Sequence, residues 1–425
     1  MKLSVENIGK FRKANIELNG ITVIAGENNT GKSTLGKVLY CLFTPMYDIE
    51  NRCKQEKLKF IKSEIVAFLK SIEKKNEDQL LTNIHNRKKI VDFINVENLD
   101  SMKECDRVLE KIKSEYDFIN SNEFEKFSDN LRKVFGFPLN LFAAYIFGQF
   151  VKEEFNGQII NIKHDGALIE YEIAGKKNEI IFSKGMPLTY NIFDSSIQAI
   201  YLDNPFVIDN KKIQSKTLFN TMVMQEDHQK DLCDKFYGNS LREESTFDEI
   251  FYNERIRSVL EKIFTVAKGK FVVENEELMF CEEGYDKPFY IKNLSTGLKT
   301  FVIFKRLIEN KAIVDKGVLI LDEPEIHLHP EWQLLLAEVI VALQKEFDLH
   351  VLITTHSPYF LNAIEVFTAK HKIADKSKYY LTKVDAEGYA SIEDVTSNTD
   401  KIYSLLARPM KVLYDMEFAI DRSKC

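Results

Sequence analysis

The chain has 425 residues, enough for two or three domains' worth of core. Its 44% hydrophobic and 29% charged content is that of a globular protein, no apolar run reaches the length of a membrane span, and the N-terminus MKLSVENIGKFRK lacks the apolar stretch of a signal peptide, so a cytoplasmic protein with no membrane partner is expected. A net charge of −7 argues against a broadly basic nucleic-acid binder but leaves room for a local basic groove, and the six scattered cysteines, with no C-x-x-C, read as reduced thiols.

In chain order, residues 1–46 alternate as strands up to an apolar strand at 21–25. A glycine-rich loop follows, then a helix over 34–43 with Leu35, Val38, Leu39 and Leu42 on one face. Residues 47–155 change character: Lys- and Glu-rich, with helical spacing at Ile61, Ile65, Phe68, Leu69 and Ile72, they predict an insertion of several short helices. The basic clusters Lys74-Lys75 and Arg87-Lys88-Lys89 read as solvated faces, since acidic residues are interspersed. Residues 156–210 predict an antiparallel part, with strands at 159–162, 168–173 and 180–182 and a further apolar strand at 197–202. Residues 211–268 return to helix as a lobe. Residues 269–425 hold a hairpin, a helix from about 296, a buried strand at 318–321, an amphipathic helix at 331–347, a second buried strand at 349–354, two tail strands and a last helix near 402–413.

Chemistry concentrates in four places. Gly26-Glu27-Asn28-Asn29-Thr30-Gly31-Lys32-Ser33 fits G-x-x-x-x-G-K-S between a strand and a helix, the context this phosphate-binding loop requires. Its glycines let backbone N–H groups wrap a phosphate, Lys32 supplies a charge for the β- and γ-phosphates, and the Ser33 hydroxyl suits Mg2+. Asp322 and Glu323 end the strand at 318–321, on the sheet edge where ligands bind in open α/β sheets: one carboxylate to hold magnesium, the next to polarise water. Ser295 and Gly297, just before a helix, could cap it or form an anion site. His356 ends the strand at 349–354 on the same edge, within reach of a γ-phosphate. His327 and His329 lack the spacing of a metal site and read as packing residues beside the nucleotide.

The order of GENNTGKST, a long interruption, LSTGLKT, LDEPEIHLHPEWQ and ITTHSPYFL resembles the ABC-type ATPase head of the SMC, Rad50 and RecF class. Within it, the motifs are most similar to OLD-like (overcoming lysogenization defect) AAA-family ATPases of phage-defence systems. The resemblance spans residues 1–45 and about 156–410. It implies an α/β P-loop NTPase fold: an ABC-ATPase-like head with a mixed central sheet, an antiparallel β lobe and a helical insertion. It also implies that residues 26–34, from Gly26 and Glu27 through Asn28, Asn29, Thr30, Gly31, Lys32 and Ser33 to Thr34, cradle ATP, that Ser33 and Asp322 hold Mg2+, and that Glu323 orients the attacking water. Ser295 and Gly297 would reach the γ-phosphate of a second subunit and His356 would sense it. ATP sandwiched between two heads implies a homodimer whose closure switches a separate effector, a nuclease being expected, and leaves room for DNA as a further partner.

Several departures narrow the resemblance. The signature reads LSTG rather than LSGGQ, which disfavours a transporter subunit. With no heptad arm and no C-x-x-C hook, the chain is not a full SMC or Rad50 protein. The tail after His356 is too short for the TOPRIM nuclease of many OLD proteins. No glutamine stands clearly at the Q-loop position: Gln149, Gln198 and the strand-end Asp203 are candidates, Asp203 the best placed. A RecF-like DNA-repair ATPase is the main alternative.

Overall fold

The computed structural model describes residues 1–73, 80–94, 99, 101–116, 120–190, 197–209, 227–238 and 246–423. The chain forms two compact units, one built from Met1–Thr44, Gln149–Asn191 and Ile197–Cys425, the other centred on Pro45–Gly148. Lys74-Lys75 and the stretches 210–226 and 239–245 of the expected β part and helical lobe lie outside the described residues.

Chain order sets the labels. β1 (Lys2–Ile8), β2 (Phe11–Glu17) and β3 (Ile21–Gly26) lead into α1 (Lys32–Phe43). Then come α2 (Ile49–Glu73), α3 (Leu80–Phe93), α4 (Met102–Glu115), α5 (Ser121–Phe135) and α6 (Leu139–Glu154). β4 (Gly166–Ile173), β5 (Lys176–Ser183), β6 (Met186–Tyr190) and β7 (Ala199–Leu202) precede α7 (His228–Tyr237) and α8 (Thr246–Phe264). After them run β8 (Gly269–Glu274), β9 (Glu277–Glu282), β10 (Phe289–Tyr290), α9 (Thr296–Glu309), β11 (Val318–Asp322), α10 (Pro330–Phe347), β12 (His350–Thr355) and α11 (Pro358–Lys370). β13 (Ser377–Val384), β14 (Ala390–Asp394), α12 (Asp400–Leu406) and α13 (Arg408–Ser423) close the described chain.

The first unit is organised by one 11-stranded mixed sheet, order β6-β5-β4-β1-β2-β14-β13-β3-β12-β11-β7. Its five strands from β13 to β7 are parallel, and β1, β2, β4, β5 and β6 pair antiparallel. The parallel strands are near-continuous apolar runs because both faces are covered: β3 and β7 are buried at every residue. On one face α8, α9, α10 and α11 pack a core that includes Val302, Leu336, Ile340 and Leu361. α1 crosses β11 and β7 closely at Gly36, where a Cβ would meet Ile320 Cγ2 at 3.1 Å and the Tyr201 hydroxyl at 3.3 Å. The glycine-rich loop leaves β3, a central parallel strand of this mixed sheet.

The second unit is helical. Ile61, Ile65 and Leu69, at i and i+4 along α2, join Val108, Ile112, Phe124 and Leu131 in a separate core, and Phe68 stacks on Phe127 at 3.9 Å. α2 runs 25 residues, longer than the short helices expected. No proline or glycine interrupts its stripe.

Two further expectations are corrected. Residues 159–162 form no strand: Ile160 makes an isolated bridge to Ile8, and the Asn161 side chain turns to donate to Gly9 O at 2.7 Å, while β6 supplies a third lobe strand instead. The last helix is two helices, broken at Ala407, because Pro409 has no N–H to donate back to the preceding turn. Among the described residues no single helix is long and apolar enough to cross a membrane, and Cys41, Cys53, Cys105, Cys233 and Cys281 are free thiols.

Candidate functional site

The sheet order explains how three distant residues meet. β12 lies between β3, which carries the phosphate loop, and β11, which ends in Asp322. His356, one residue beyond β12, therefore falls between Lys32 and Glu323. Its Nε2 is 2.8 Å from Lys32 Nζ and 2.6 Å from Glu323 Oε1, and Lys32 Nζ is itself 3.9 Å from Glu323 Oε1.

The loop is built for close approach. Gly26 lies against β13, where a Cβ would come within 2.1 Å of Thr382 Oγ1, and Asn29 and Gly31 take positive φ of 65° and 83°. Such alternation of backbone conformation turns successive N–H groups inward as an anion nest. Thr30, buried, shares a 2.7 Å hydrogen bond with Thr382 and donates to Glu27 O at 2.8 Å. Lys32 is only 4% exposed and donates to Gly26 O at 3.3 Å and Glu27 O at 2.9 Å. Burial lowers its pKa, while Glu323, Asp322 and Glu325 pull the other way. A bound phosphate would add negative charge beside this buried ammonium. The Glu27 carboxylate faces out and pairs with Arg408 at 3.4 Å, an exposed contact that contributes little to stability. Asn28 is exposed on the loop, and Thr34 packs at Gly9, where a Cβ would meet Thr34 Cγ2 at 2.8 Å.

Asp322 is held on both oxygens. Thr354 donates to Oδ1, and Tyr201 lies 3.1 Å from Oδ2 while also reaching the Ser33 carbonyl at 3.5 Å. One phenol thus ties the start of α1 to the end of β11. A serine hydroxyl at a helix start and a carboxylate beside it are the oxygen donors magnesium takes, so the residues present fit a Mg2+–ATP complex. Glu323 sits at φ 50°, in the left-handed region, fixed by its N–H donating to the Thr354 carbonyl at 3.1 Å and hydroxyl at 3.0 Å. A non-glycine residue kept there is strained by about 1 kcal/mol or more, as is common at functional sites.

A single Nε2 can accept a proton from Lys32 or donate one to Glu323, never both at once. Burial and then Lys32 push the His356 pKa down, against Glu323. The backbone of His356 is clamped by Glu325, whose Oε1 accepts from His356 N at 3.2 Å and from the Thr355 hydroxyl. Glu325 is 3% exposed, and burial raises its pKa. Ser357 then caps α11, accepting from Phe360 N at 3.2 Å and donating to Gln333 at 2.9 Å.

The structure gathers Lys32, Ser33, Asp322, Glu323 and His356 on one edge. Ser295 is instead the exposed N-cap of α9, with no side-chain cap bond. Gly297 is buried, where a Cβ would meet Trp332 Cζ3 at 3.0 Å and His327 O at 3.2 Å, so its smallness already serves packing within the chain. His327 packs edge-on to Phe206 at 5.8 Å and His329 is the N-cap of α10. Among the described residues no group of His, Cys, Asp or Glu forms a metal cluster. A groove of about 760 Å³ lies elsewhere on the first unit, against Lys2, Asn15, Glu172 and Tyr380. The chemistry stands at the loop, where the charged side chains converge.

Sequence reasoning missed Tyr201, Thr382, Thr354 and Glu325. All four act through pairing across the sheet or a turn between strands, which single-strand patterns do not reveal.

The family model described as "AAA domain, putative AbiEii toxin, Type IV TA system" (AAA_21) matches residues 21–362, most of the chain. The chain belongs to this family. By that membership and by its loop–sheet architecture it is a P-loop ATPase. Among curated proteins, "Retron Ec83 probable ATPase" of Escherichia coli is 25% identical to this chain over 181 residues, which is 39% of this chain and 31% of that protein's length. Among solved structures, an SMC head bound to the C-terminal winged-helix domain of ScpA aligns with a TM-score of 0.44 at 10% identity, over 94% of this chain and 98% of that one. The SMC head of Thermotoga maritima aligns with a TM-score of 0.34 at 12% identity, over 93% and 98%.

Proposed function

We propose that this AAA_21 protein is an ATP-driven switch of the OLD-like kind: ATP with Mg2+ binds at 26–34, two copies close on it as a homodimer, and hydrolysis separates them to gate a separate effector, a nuclease of a phage-defence system, with DNA as a possible further partner. The observation that carries it is the Lys32–His356–Glu323 triangle. A nucleotide's terminal phosphate would draw Lys32 away, leaving His356 Nε2 to hydrogen-bond the phosphate or Glu323. The protonation state of the three groups is then tied to the presence of the γ-phosphate.

In the hydrolytic step Mg2+, when bound, offsets the phosphate charge. Lys32 and the loop N–H groups orient the phosphates, and Glu323 accepts a hydrogen bond from the attacking water. Ser295, exposed ahead of α9, is free to meet a second copy's nucleotide, whereas Gly297 would act there only through its backbone. Likeness to a retron ATPase supports the defence setting. Lys32→Ala is expected to lose ATP binding and turnover together. Glu323→Gln should keep binding and lose turnover by about 100- to 1,000-fold, the scale of a positioned acid–base group. Normal turnover in Glu323→Gln refutes the mechanism.

A further inference from the structure

Behind the site lies a buried polar chain centred on His228. His228, at the start of α7, stands between two carboxylates. Its Nδ1 is 2.8 Å from Glu154 Oε1 and 2.9 Å from Oε2, and its backbone N–H donates to Glu154 Oε2 at 3.0 Å. Nε2 lies 2.9 Å from Asp203 Oδ2, close enough for an ion pair though not aligned as a hydrogen bond. Glu154 also pairs with Lys37 of α1 at 3.2 Å, and its side chain is fully buried. The imidazole stacks on Tyr201 at 4.4 Å, the residue whose hydroxyl bridges Asp322 and Ser33.

Asp203 directly follows β7, at the same sheet edge as Glu323. Gln229 donates to the Oδ2 that His228 approaches, at 3.1 Å, whereas Oδ1 is buried with no hydrogen-bond partner. Asp203 and Glu323 line one small cavity of about 40 Å³, together with Thr300 and His327. A buried carboxylate oxygen without a donor is costly, and such groups in native proteins have a reason to be there. Beside the candidate general base, the donor that fits is water.

We propose that His228, anchored by Glu154, is a positioning residue for hydrolysis: it fixes the Asp203 carboxylate beside Glu323 so that Oδ1 takes one hydrogen of the attacking water while Glu323 takes the other. This rests on the ATPase reading of the site. His228 touches neither nucleotide nor water. It holds Asp203 in place, and the Tyr201 ring stacks on its imidazole.

The test is steady-state ATPase of the whole chain as wild type, His228→Gln, Asp203→Asn and the double variant, with thermal midpoints measured alongside. Each single variant is expected to lose about 10- to 100-fold in kcat, the scale of a partner that orients a reacting group through one contact. KM for ATP should stay within about threefold, because the phosphate loop is untouched. If His228 acts through Asp203, the double variant is no slower than the slower single one. Glu154→Gln, equal in shape, carries the same kcat expectation should His228→Gln not fold. Wild-type kcat in His228→Gln, or losses that multiply in the double variant, overturns the proposal alone. A wild-type chain without ATPase removes the ATPase reading and this proposal with it.

Discussion

Replacing His228 with glutamine removes a charge sealed between Glu154 and Asp203, and the loss should be visible in how folding depends on pH. Burial alone would lower this imidazole's pKa. Its carboxylate partners Asp203 and Glu154 overcome that and raise it from 6.5 to about 9. The groups that face it are Lys37 and Tyr40 on α1, Glu154 on α6, and Tyr201 and Asp203 at β7. Because the folded pKa lies above the unfolded one, the native state binds the extra proton between them. The stabilisation is therefore fully present below 6.5 and is lost as pH rises through about 9. At about 1.4 kcal/mol per pH unit, a rise from 6.5 to about 9 is worth on the order of 3 kcal/mol. Urea unfolding of wild type and His228→Gln at about pH 6 and pH 10 reads it as a difference of differences. His350 and His371, whose pKa values burial lowers, titrate alike in both proteins and cancel. Equal pH dependence in the two proteins, within about 0.5 kcal/mol, refutes the buried imidazolium.

Two substitutions probe the rest of the edge. Gly297→Val should destabilise by about 1–3 kcal/mol through overpacking against Trp332; an unchanged thermal midpoint contradicts the packing role. Tyr201→Phe removes the hydroxyl that bridges Asp322 and Ser33, so the magnesium concentration for half-maximal ATPase should rise about tenfold; an unchanged metal requirement contradicts it.

How much was legible depended on whether one segment carried the whole signal. The phosphate loop was legible because G-x-x-x-x-G-K-S needs only its own residues, set between a strand and a helix. Strands 318–321 and 349–354 were legible as apolar runs because parallel strands are buried on both faces, and they appear as β11 and β12. What the chain did not disclose was strand order. Nothing local says that β12 separates β3 from β11, and that order is why His356 touches both Lys32 and Glu323. Tyr201 looked like one more apolar-strand residue, yet its hydroxyl is the bridge between Asp322 and Ser33. Glu154 and His228, 74 positions apart, lay in segments read only as helix. Of that chain, only Asp203 shows itself in the sequence, by its place at a strand end. Pro409 marks the split of the last helix at Ala407, but the apolar spacing continues on both sides and masks it.

In the proposed switch, ATP closes two copies of this chain on one another. Light scattering on purified Glu323→Gln, with and without ATP and magnesium and again with added duplex DNA, tests it most directly, alongside ATP binding on the same sample. A monomer mass without nucleotide and twice that mass with ATP-magnesium is expected. A mass that stays unchanged while ATP is shown to be bound contradicts the switch.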